Sequence, residues 1–470
     1  MPQTITIDPV TRIEGHAKIT IQLDDSGAVS DAHFHVTQLR GFEKFCEGRP
    51  FQEMPSLMAR ICGICPVSHL VASAKACDAL LAVRIPETAA HLREILNLAQ
   101  IAQSHALSFF YLSSPDLLLG MDADPAQRHL FGVAQAQPQL ARDGIRLRQM
   151  GQQIIEILGG KRIHHAWVVP GGVNEPLTAD KRDAIRAFVP EGIAIMERTL
   201  TWYRGVLDSY AEEIEAFSAL KTLFMGLISR HGQLEMYEGL IRIIDADRNI
   251  VADGLAPEDY ASYIGEAVEK WSFLKSPFYR PMGYPDGMYR VGPLARLSLV
   301  DSIGTPRADE ALEFFRTLDW NSAFHFHYAR LIEILYCFEK IDRLLDKPDI
   351  LSSRVRALAE PNSSEGIGVS EAPRGTLIHH YTIDDHGLIT RANLIIATGH
   401  NNLAMDRSVY EVARRYVDGT KLTEGMLNRV EAVIRAFDPC LSCSTHAVGQ
   451  MPLQLQLVAP DGAVIDEIRR

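Results

Sequence analysis

The chain has 470 residues, 47% of them hydrophobic and 23% charged, which is the make-up of a folded globular protein with room for a large core. Its net charge of −12 argues against nucleic acid as a partner, because a phosphate backbone needs a basic surface. No run of about 18 uncharged apolar residues predicts a membrane span. The N-terminus has no basic head or apolar run of a secretory signal, and the seven cysteines fit metal binding or free thiols in a reducing compartment better than disulfides.

In chain order, residues 3–38 predict strands. Ile5, Ile7, Ile19, Ile21 and Leu23 alternate with polar residues around the turn Asp24-Asp25-Ser26-Gly27. Helical spacing follows over 66–84, closed by Pro86, over 88–113, and over 126–158 with Gly159-Gly160 as a stop. Residues 178–217 predict a helix capped by Thr178 and broken near Pro190. The stretch 245–304, rich in Gly, Pro, Tyr and charge, reads as a peripheral insertion. A strongly apolar helix lies within 308–345, a hairpin at 376–398 turns at Asp384-Asp385-His386-Gly387, and two helices follow at 406–417 and 423–437. A last hairpin spans 453–468 around Pro460-Asp461-Gly462. No linker marks a boundary. The expectation is one domain over 1–470, α+β and mainly α, with a central bundle of long helices and peripheral antiparallel hairpins.

Two cysteine stretches dominate the chemistry. Arg60-Ile61-Cys62-Gly63-Ile64-Cys65-Pro66-Val67-Ser68-His69 stands near the start, and Asp438-Pro439-Cys440-Leu441-Ser442-Cys443-Ser444-Thr445-His446 near the end. Each Cys-x-x-Cys pair can present two thiolates to one metal ion. Spacing alone leaves zinc, iron–sulfur and nickel open, since soft thiolates suit all three. Cys62 and Cys65 precede a helix, whose free N–H groups favour thiolates. His69, one turn on, can donate a hydrogen bond to a metal-bound sulfur.

Together the two stretches resemble the signature motifs of nickel–iron hydrogenase large subunits, and the resemblance extends from residue 8 to residue 446. Asp-Pro-Cys-Leu-Ser-Cys-Ser-Thr-His-Ala and Ala397-Thr398-Gly399-His400-Asn401-Asn402 are most similar to the cytoplasmic NAD-reducing, bidirectional group. The resemblance implies that Cys62, Cys65, Cys440 and Cys443 bind nickel, with Cys65 and Cys443 also bridging to an iron that carries carbonyl and cyanide. In Asp8-Pro9-Val10-Thr11-Arg12-Ile13-Glu14-Gly15-His16 it makes Glu14 the proton relay. Without the resemblance, Glu14 reads as a partner of Arg12 or of another basic residue at the sheet edge. In Glu371-Ala372-Pro373-Arg374-Gly375 it puts Arg374 over the open metal position and Pro373 beside the iron's diatomic ligands. Thr398 would donate to a cyanide, and Ala397 stands where many relatives carry Pro. Asp116, in Ser113-Ser114-Pro115-Asp116, would pair with Arg374. Glu43, in Arg40-Gly41-Phe42-Glu43, would bind Mg²⁺ with the Leu394 carbonyl and His446. The alternative for Glu43 is an ion pair with Arg40 or Lys44.

Beyond the four ligands the sequence has no cysteine set for an iron–sulfur cluster, and no Gly-x-Gly-x-x-Gly dinucleotide signature. The resemblance therefore implies an iron–sulfur small subunit to take electrons and flavin/iron–sulfur diaphorase subunits beyond it. Cys46 lies close enough in sequence to Glu43 to approach the proton relay, whereas Cys77 and Cys337 read as core thiols. His379, His380, His325 and His327 carry no assigned role. The main rival, a structural subunit of a respiratory NADH:quinone complex, would lack the four cysteines. In relatives a maturation protease removes a peptide after the motif His. Here that peptide would be Ala447 to Arg470, and left in place it would hold Cys440 and Cys443 away from the closed site.

Overall fold

A computed structural model describes residues 3–446, 454–459 and 464–469. Its centre is a bundle of four long helices, Glu87–Leu107, Pro138–Gly159, Val189–Val206 and Phe326–Leu345, which pack against one another around the main core. Glu87–Leu107 and Phe326–Leu345 are buried nearly all round, as expected for helices enclosed by others.

Prolines decide where several predicted helices break. The stretch 126–158 is two helices, Leu130–Ala136 and Pro138–Gly159, because Pro138 starts a new helix where its missing N–H costs nothing. Pro190 likewise sits in the first turn of Val189–Val206 and begins that helix, following Ala179–Arg186 with its Thr178 cap. Residues 308–345 also hold two helices, Pro306–Phe315 and Phe326–Leu345. Residues 88–113 run as Glu87–Leu107 and then a π-helical turn, Ser108–Ser113, a feature frequent at functional sites.

Small sheets surround the bundle. Gln3–Ile7, Ala17–Leu23 and Val29–Val36 form an antiparallel sheet, with Ile5 opposite Ile21 and Ile7 opposite Ile19. The predicted hairpin at 376–398 is Gly375–Ile383 with Ile389–Ile395, and Glu365–Ala372 adds a third strand. This sheet lies directly on the helix Pro66–Leu81. A Cβ at Gly368 would stand 2.1 Å from the Ala72 carbonyl oxygen, so only glycine permits the approach. The C-terminal strands Gln454–Val458 and Val464–Arg469 pair as predicted, while the turn at Pro460-Asp461-Gly462 lies outside the described residues.

The segment 245–304 is peripheral only in part. Ile250–Leu255 edges a four-stranded sheet, but the helix Pro293–Leu299 is buried at every residue and carries Arg296 into the core. Gly and Pro, read as signs of surface loop, here permit tight backbone contact. A Cβ at Gly292 would stand 2.8 Å from the Arg374 carbonyl oxygen. No helix is long and apolar enough to cross a membrane among the described residues.

Candidate metal centre

Cys65 caps the helix Pro66–Leu81, and Cys440 caps the short helix Leu441–Ser444, which also carries Cys443. The helix Glu424–Phe437 delivers the second pair. It is capped by Thr423 and ends at Asp438, whose left-handed φ of 55° turns the chain inward. All four cysteines are buried, and their sulfurs lie within 4.8 Å of one another. Cys62 Sγ is 3.3 Å from Cys440 Sγ, Cys65 Sγ is 3.7 Å from Cys443 Sγ, and Cys440 and Cys443 Sγ are 2.7 Å apart. The N–H groups of Ile64 and Cys65 donate to Cys62 Sγ at 3.1 and 3.3 Å. Hydrogen bonds from Cys440, Cys443 and Cys62 pull the Cys65 thiol well below its ordinary value, while burial drives Cys440 and Cys443 well above theirs. Four thiolates this close need a cation among them, and four soft sulfur donors suit a transition metal.

The cavity beside the sulfurs is walled by Ala372, Pro373, Leu377, Ile396 and Ala397, with Arg374, Thr398 and His69 as its polar members. The Thr398 hydroxyl oxygen accepts from the Cys440 N–H at 2.9 Å, which leaves its own proton free to donate. His69 hydrogen-bonds Cys65, and its Nδ1 lies 3.2 Å from Nε2 of His379. His379 continues to the Tyr381 hydroxyl at 2.6 Å, and Tyr381 to Ser73 at 2.9 Å. Burial holds His379 well below the usual histidine range, so its ring is neutral.

Arg374 occupies the tip of a two-residue hairpin, Pro373-Arg374, closed by the pair Ala372 and Gly375. Gly375, at φ 136°, is required there, since a Cβ would stand 2.2 Å from Cγ2 of Val291. The guanidinium donates from Nε to the Asp438 carbonyl at 2.5 Å, from Nη2 to Asp438 Oδ1 at 3.1 Å and from Nη1 to Ser104 at 3.3 Å.

The expected Arg374–Asp116 pair is therefore corrected. Asp116 holds Arg12 at 2.5 Å, Arg435 at 2.9 Å and Asn428 at 3.1 Å. Burial would raise its carboxyl, but Arg435 and Arg12 together lower it below the ordinary value. The π-helical turn ends just before Asp116 and places it toward the N-terminal motif and the helix Glu424–Phe437, whereas Asp438, adjacent to the second cysteine pair, is nearer for Arg374.

Arg12 is thus committed to Asp116, and Glu14 is not its partner. Glu14 is half-buried. Its carbonyl accepts from the Leu441 N–H at 3.2 Å, and its carboxylate from the Ser442 N–H at 3.1 Å.

Glu43 pairs with neither Arg40 nor Lys44. Its Oε1 accepts from Lys275 Nζ at 2.7 Å and from the Leu394 N–H at 2.8 Å. Lys275 also meets Glu266 at 3.2 Å and Asn393 at 2.9 Å. Arg40 instead reaches the Ile61 carbonyl, and Lys44 pairs with Glu47. His446 is buried, its Nε2 lies 2.8 Å from the Cys443 carbonyl oxygen, and its Nδ1 has no partner among the described residues. Burial, and then the charge of Lys275, push it down to about 3, so the ring is neutral. Cys46 donates to the Phe42 carbonyl at 2.9 Å and sits beside Glu43, its thiol pushed up to about 12 by burial. Cys77 and Cys337 are buried core thiols, both raised by burial.

The structure carries the peptide after His446, yet the four sulfurs are gathered and His446 is buried. The expectation that an attached peptide holds the second pair away concerns residues 447–470, part of which lie outside the described residues. The helix Glu424–Phe437 and the Glu14 bridge fix Cys440 from the N-terminal side. Sequence reading missed His379, Tyr381, Asp438, Ser104 and Arg296. His379 and Tyr381 did leave a sign, two polar rings at strand spacing in an apolar stretch.

Residues 4–39 match the family described as HoxL-like, and residues 40–135 and 227–446 match nickel-dependent hydrogenase. The NAD-reducing hydrogenase HoxS subunit beta of Cupriavidus necator is 42% identical, with 100% of each chain covered. The crystal structure of an NAD+-reducing [NiFe]-hydrogenase in the H2-reduced state superposes at a TM-score of 0.92 and 45% identity, covering 94% of this chain and 99% of that one. The Ni-Fe-Se hydrogenase of D. vulgaris Hildenborough superposes at 0.74 and 25% identity, covering 95% and 100%. A four-cysteine centre on this fold, matched along nearly the whole chain, makes the protein a member of the nickel–iron hydrogenase large-subunit family.

Proposed function

We propose that this chain is the catalytic subunit of a cytoplasmic, NAD+-reducing hydrogenase that oxidises H2 reversibly to protons and electrons. The observation that carries the proposal is the four-cysteine cluster, with Arg374 at the cavity beside it and the Glu14 backbone bridged to Cys440. In this reading Cys62, Cys65, Cys440 and Cys443 would hold nickel, and Cys65 and Cys443 would also hold an iron carrying carbonyl and cyanide ligands. When bound, that group supplies the heterolytic splitting of H2.

The chain's own residues do the rest. Glu14 moves the proton, its carboxylate held beside the second cysteine pair by Ser442. Arg374 holds a fixed positive charge at the cavity, and Asp438 keeps it there. Thr398 has a proton to donate to a cyanide, Pro373 and Ala397 exclude water, and His69 steadies the Cys65 sulfur. Asp116 acts through Arg12 and Arg435, by holding the Glu14 motif in place.

Mg²⁺ held by Glu43, the Leu394 carbonyl and His446 fits the donor set in one respect. His446 offers a buried, unpartnered Nδ1 on a neutral ring. Lys275 now stands on Glu43, so the ion would bind there as Lys275 moves aside.

Among the described residues, the four cysteines are the one group of His, Cys, Asp or Glu side chains that could hold a metal. Electrons would therefore leave through an iron–sulfur small subunit and reach NAD+ through flavin/iron–sulfur diaphorase subunits. Residues 1–470 form one domain in this reading, and a maturation protease removes 447–470. Metal analysis and infrared spectroscopy of the purified complex test the proposal. Nickel with iron, carbonyl and cyanide bands, and H2-dependent NAD+ reduction are expected; zinc alone, with no such bands, would overturn it.

A further inference from the structure

We infer that Arg296 is the positioning residue for Arg374, clasping the hairpin tip that carries Arg374 to the four-cysteine centre. The role of Arg374 in this inference rests on the function proposed above.

The geometry is saturated. Nε and Nη2 of Arg296 grip Glu333 at 2.7 and 2.6 Å, and Nη1 reaches Glu371 at 2.7 Å. The two remaining N–H groups go to the carbonyls of Ala372 at 3.0 Å and Pro373 at 3.2 Å, the two residues immediately before Arg374. All five guanidinium donors are thus in use. Glu371 is itself fixed by the Thr376 hydroxyl at 2.8 Å and the Leu227 N–H at 2.9 Å, and Glu333 meets His105 Nε2 at 2.8 Å. The side chains of Arg296, Glu333, Glu371 and His105 are all fully buried.

Such a cluster is a poor way to gain stability, because apolar residues of the same volume often do as well without the desolvation cost. What it provides is a single arrangement. In a dry interior each bond depends on the others, and a shift of the tip would break several at once. The tip is also pressed from the other side, where glycine at 292 and 375 lets the 291–292 backbone touch it. Arg374 is therefore set by a backbone held between Arg296 and that segment, and its own pair with Asp438 only completes the placement. Lysine cannot replace Arg296, since three donors on a flexible stem cannot serve two carboxylates and two carbonyls.

Arg296→Lys, purified with the chains it assembles with, tests the inference. We expect nickel and iron retained, a KM for H2 little changed, and kcat at least ~10-fold lower, within the roughly hundredfold cost of a 1 Å misplacement. The carbonyl and cyanide infrared bands should shift. Parental kcat with unmoved bands, or an activity loss matched by an equal loss of nickel, overturns the inference. A crystal structure of the variant decides it on geometry alone, whatever metal the centre holds. Arg374 displaced from Asp438 supports it, and an unmoved Arg374 sinks it. Should the lysine variant not accumulate, Glu333→Gln, which keeps the fork but loosens its grip, is expected to shift the same bands with a smaller loss of kcat. Unshifted bands there count against the inference.

Discussion

The N–H of Leu441 donates to the carbonyl oxygen of Glu14 at 3.2 Å, joining the N-terminal motif to the second cysteine pair through an isolated parallel bridge between Glu14 and Cys440. Gly15 makes the approach possible. Its φ is +89°, and a Cβ there would stand 2.7 Å from the Leu441 Cβ. Two segments from opposite ends of the chain therefore share one backbone geometry, and the carboxylate of Glu14 comes to rest on the next N–H, that of Ser442.

Glu14→Gln tests the relay with little disturbance. The amide oxygen still accepts from Ser442, so the backbone bridge and the metals should stay in place. An amide cannot pass a proton on, so H/D exchange and turnover should fall by roughly a hundredfold or more, the lower range for losing a general acid–base group. Exchange at the parental rate would move the relay to another residue.

Asp116→Asn should act on stability and on the position of the N-terminal motif. Removing a carboxylate that the buried Arg435 and the half-buried Arg12 share costs about 3–5 kcal/mol, the usual penalty for leaving a buried charge unpaired. The folded-state carboxyl is held below 3.8, so its stabilisation is full above that pH and fades as the pH drops below it. Melting curves of parent and variant should differ most at neutral pH and converge in acid. A constant difference across that range would argue against an ionic role for Asp116.

How far the sequence reveals this site depends on distance along the chain. The cysteine pairs, the Thr423 cap and the alternating strands are local patterns, and the structure keeps them. Side-chain partners are different. Asp116 could face any of several arginines, and only the packing of the Ser108–Ser113 turn against the helix Glu424–Phe437 gives it Arg12 and Arg435. Arg296 was hidden for a related reason. It stands among prolines and glycines that read as surface, and nothing local marks a buried guanidinium. Pro138 and Pro190 show the same limit, since the proline that reads as the end of one helix begins the next.

Cys443→Ser should abolish activity and lose both nickel and iron. Cys443 lies 2.7 Å from Cys440 and 3.7 Å from Cys65 and is the least accessible of the four. A neutral hydroxyl cannot replace a thiolate as ligand to a soft metal. Metal analysis after purification is the check, and retained nickel and iron with normal turnover would remove Cys443 from the ligand set.

Arg374→Lys keeps a positive charge but loses the fork that binds the Asp438 carbonyl and carboxylate together. Activity should drop by about two orders of magnitude with the metals retained, the scale for losing one preorganised electrostatic donor. A near-normal rate would confine Arg374 to a structural part.

The last prediction concerns Ala447 to Arg470. The four sulfurs are gathered and His446 is buried, so the proposed removal of this peptide would act on something other than the approach of the cysteines. Its strands, Gln454–Val458 and Val464–Arg469, pair with each other and, among the described residues, with no other strand, and Val464 and Ile465 are exposed. Cleavage after His446 would give the segment a new carboxylate and let its ring turn its free Nδ1 toward the Glu43 position. We expect the intact mass of active, nickel-loaded enzyme to correspond to a chain ending at His446, with Mg²⁺ bound in that form and lost in Glu43→Gln. A full-length mass in the active fraction would rule out processing, and Mg²⁺ retained in Glu43→Gln would remove Glu43 from its ligands.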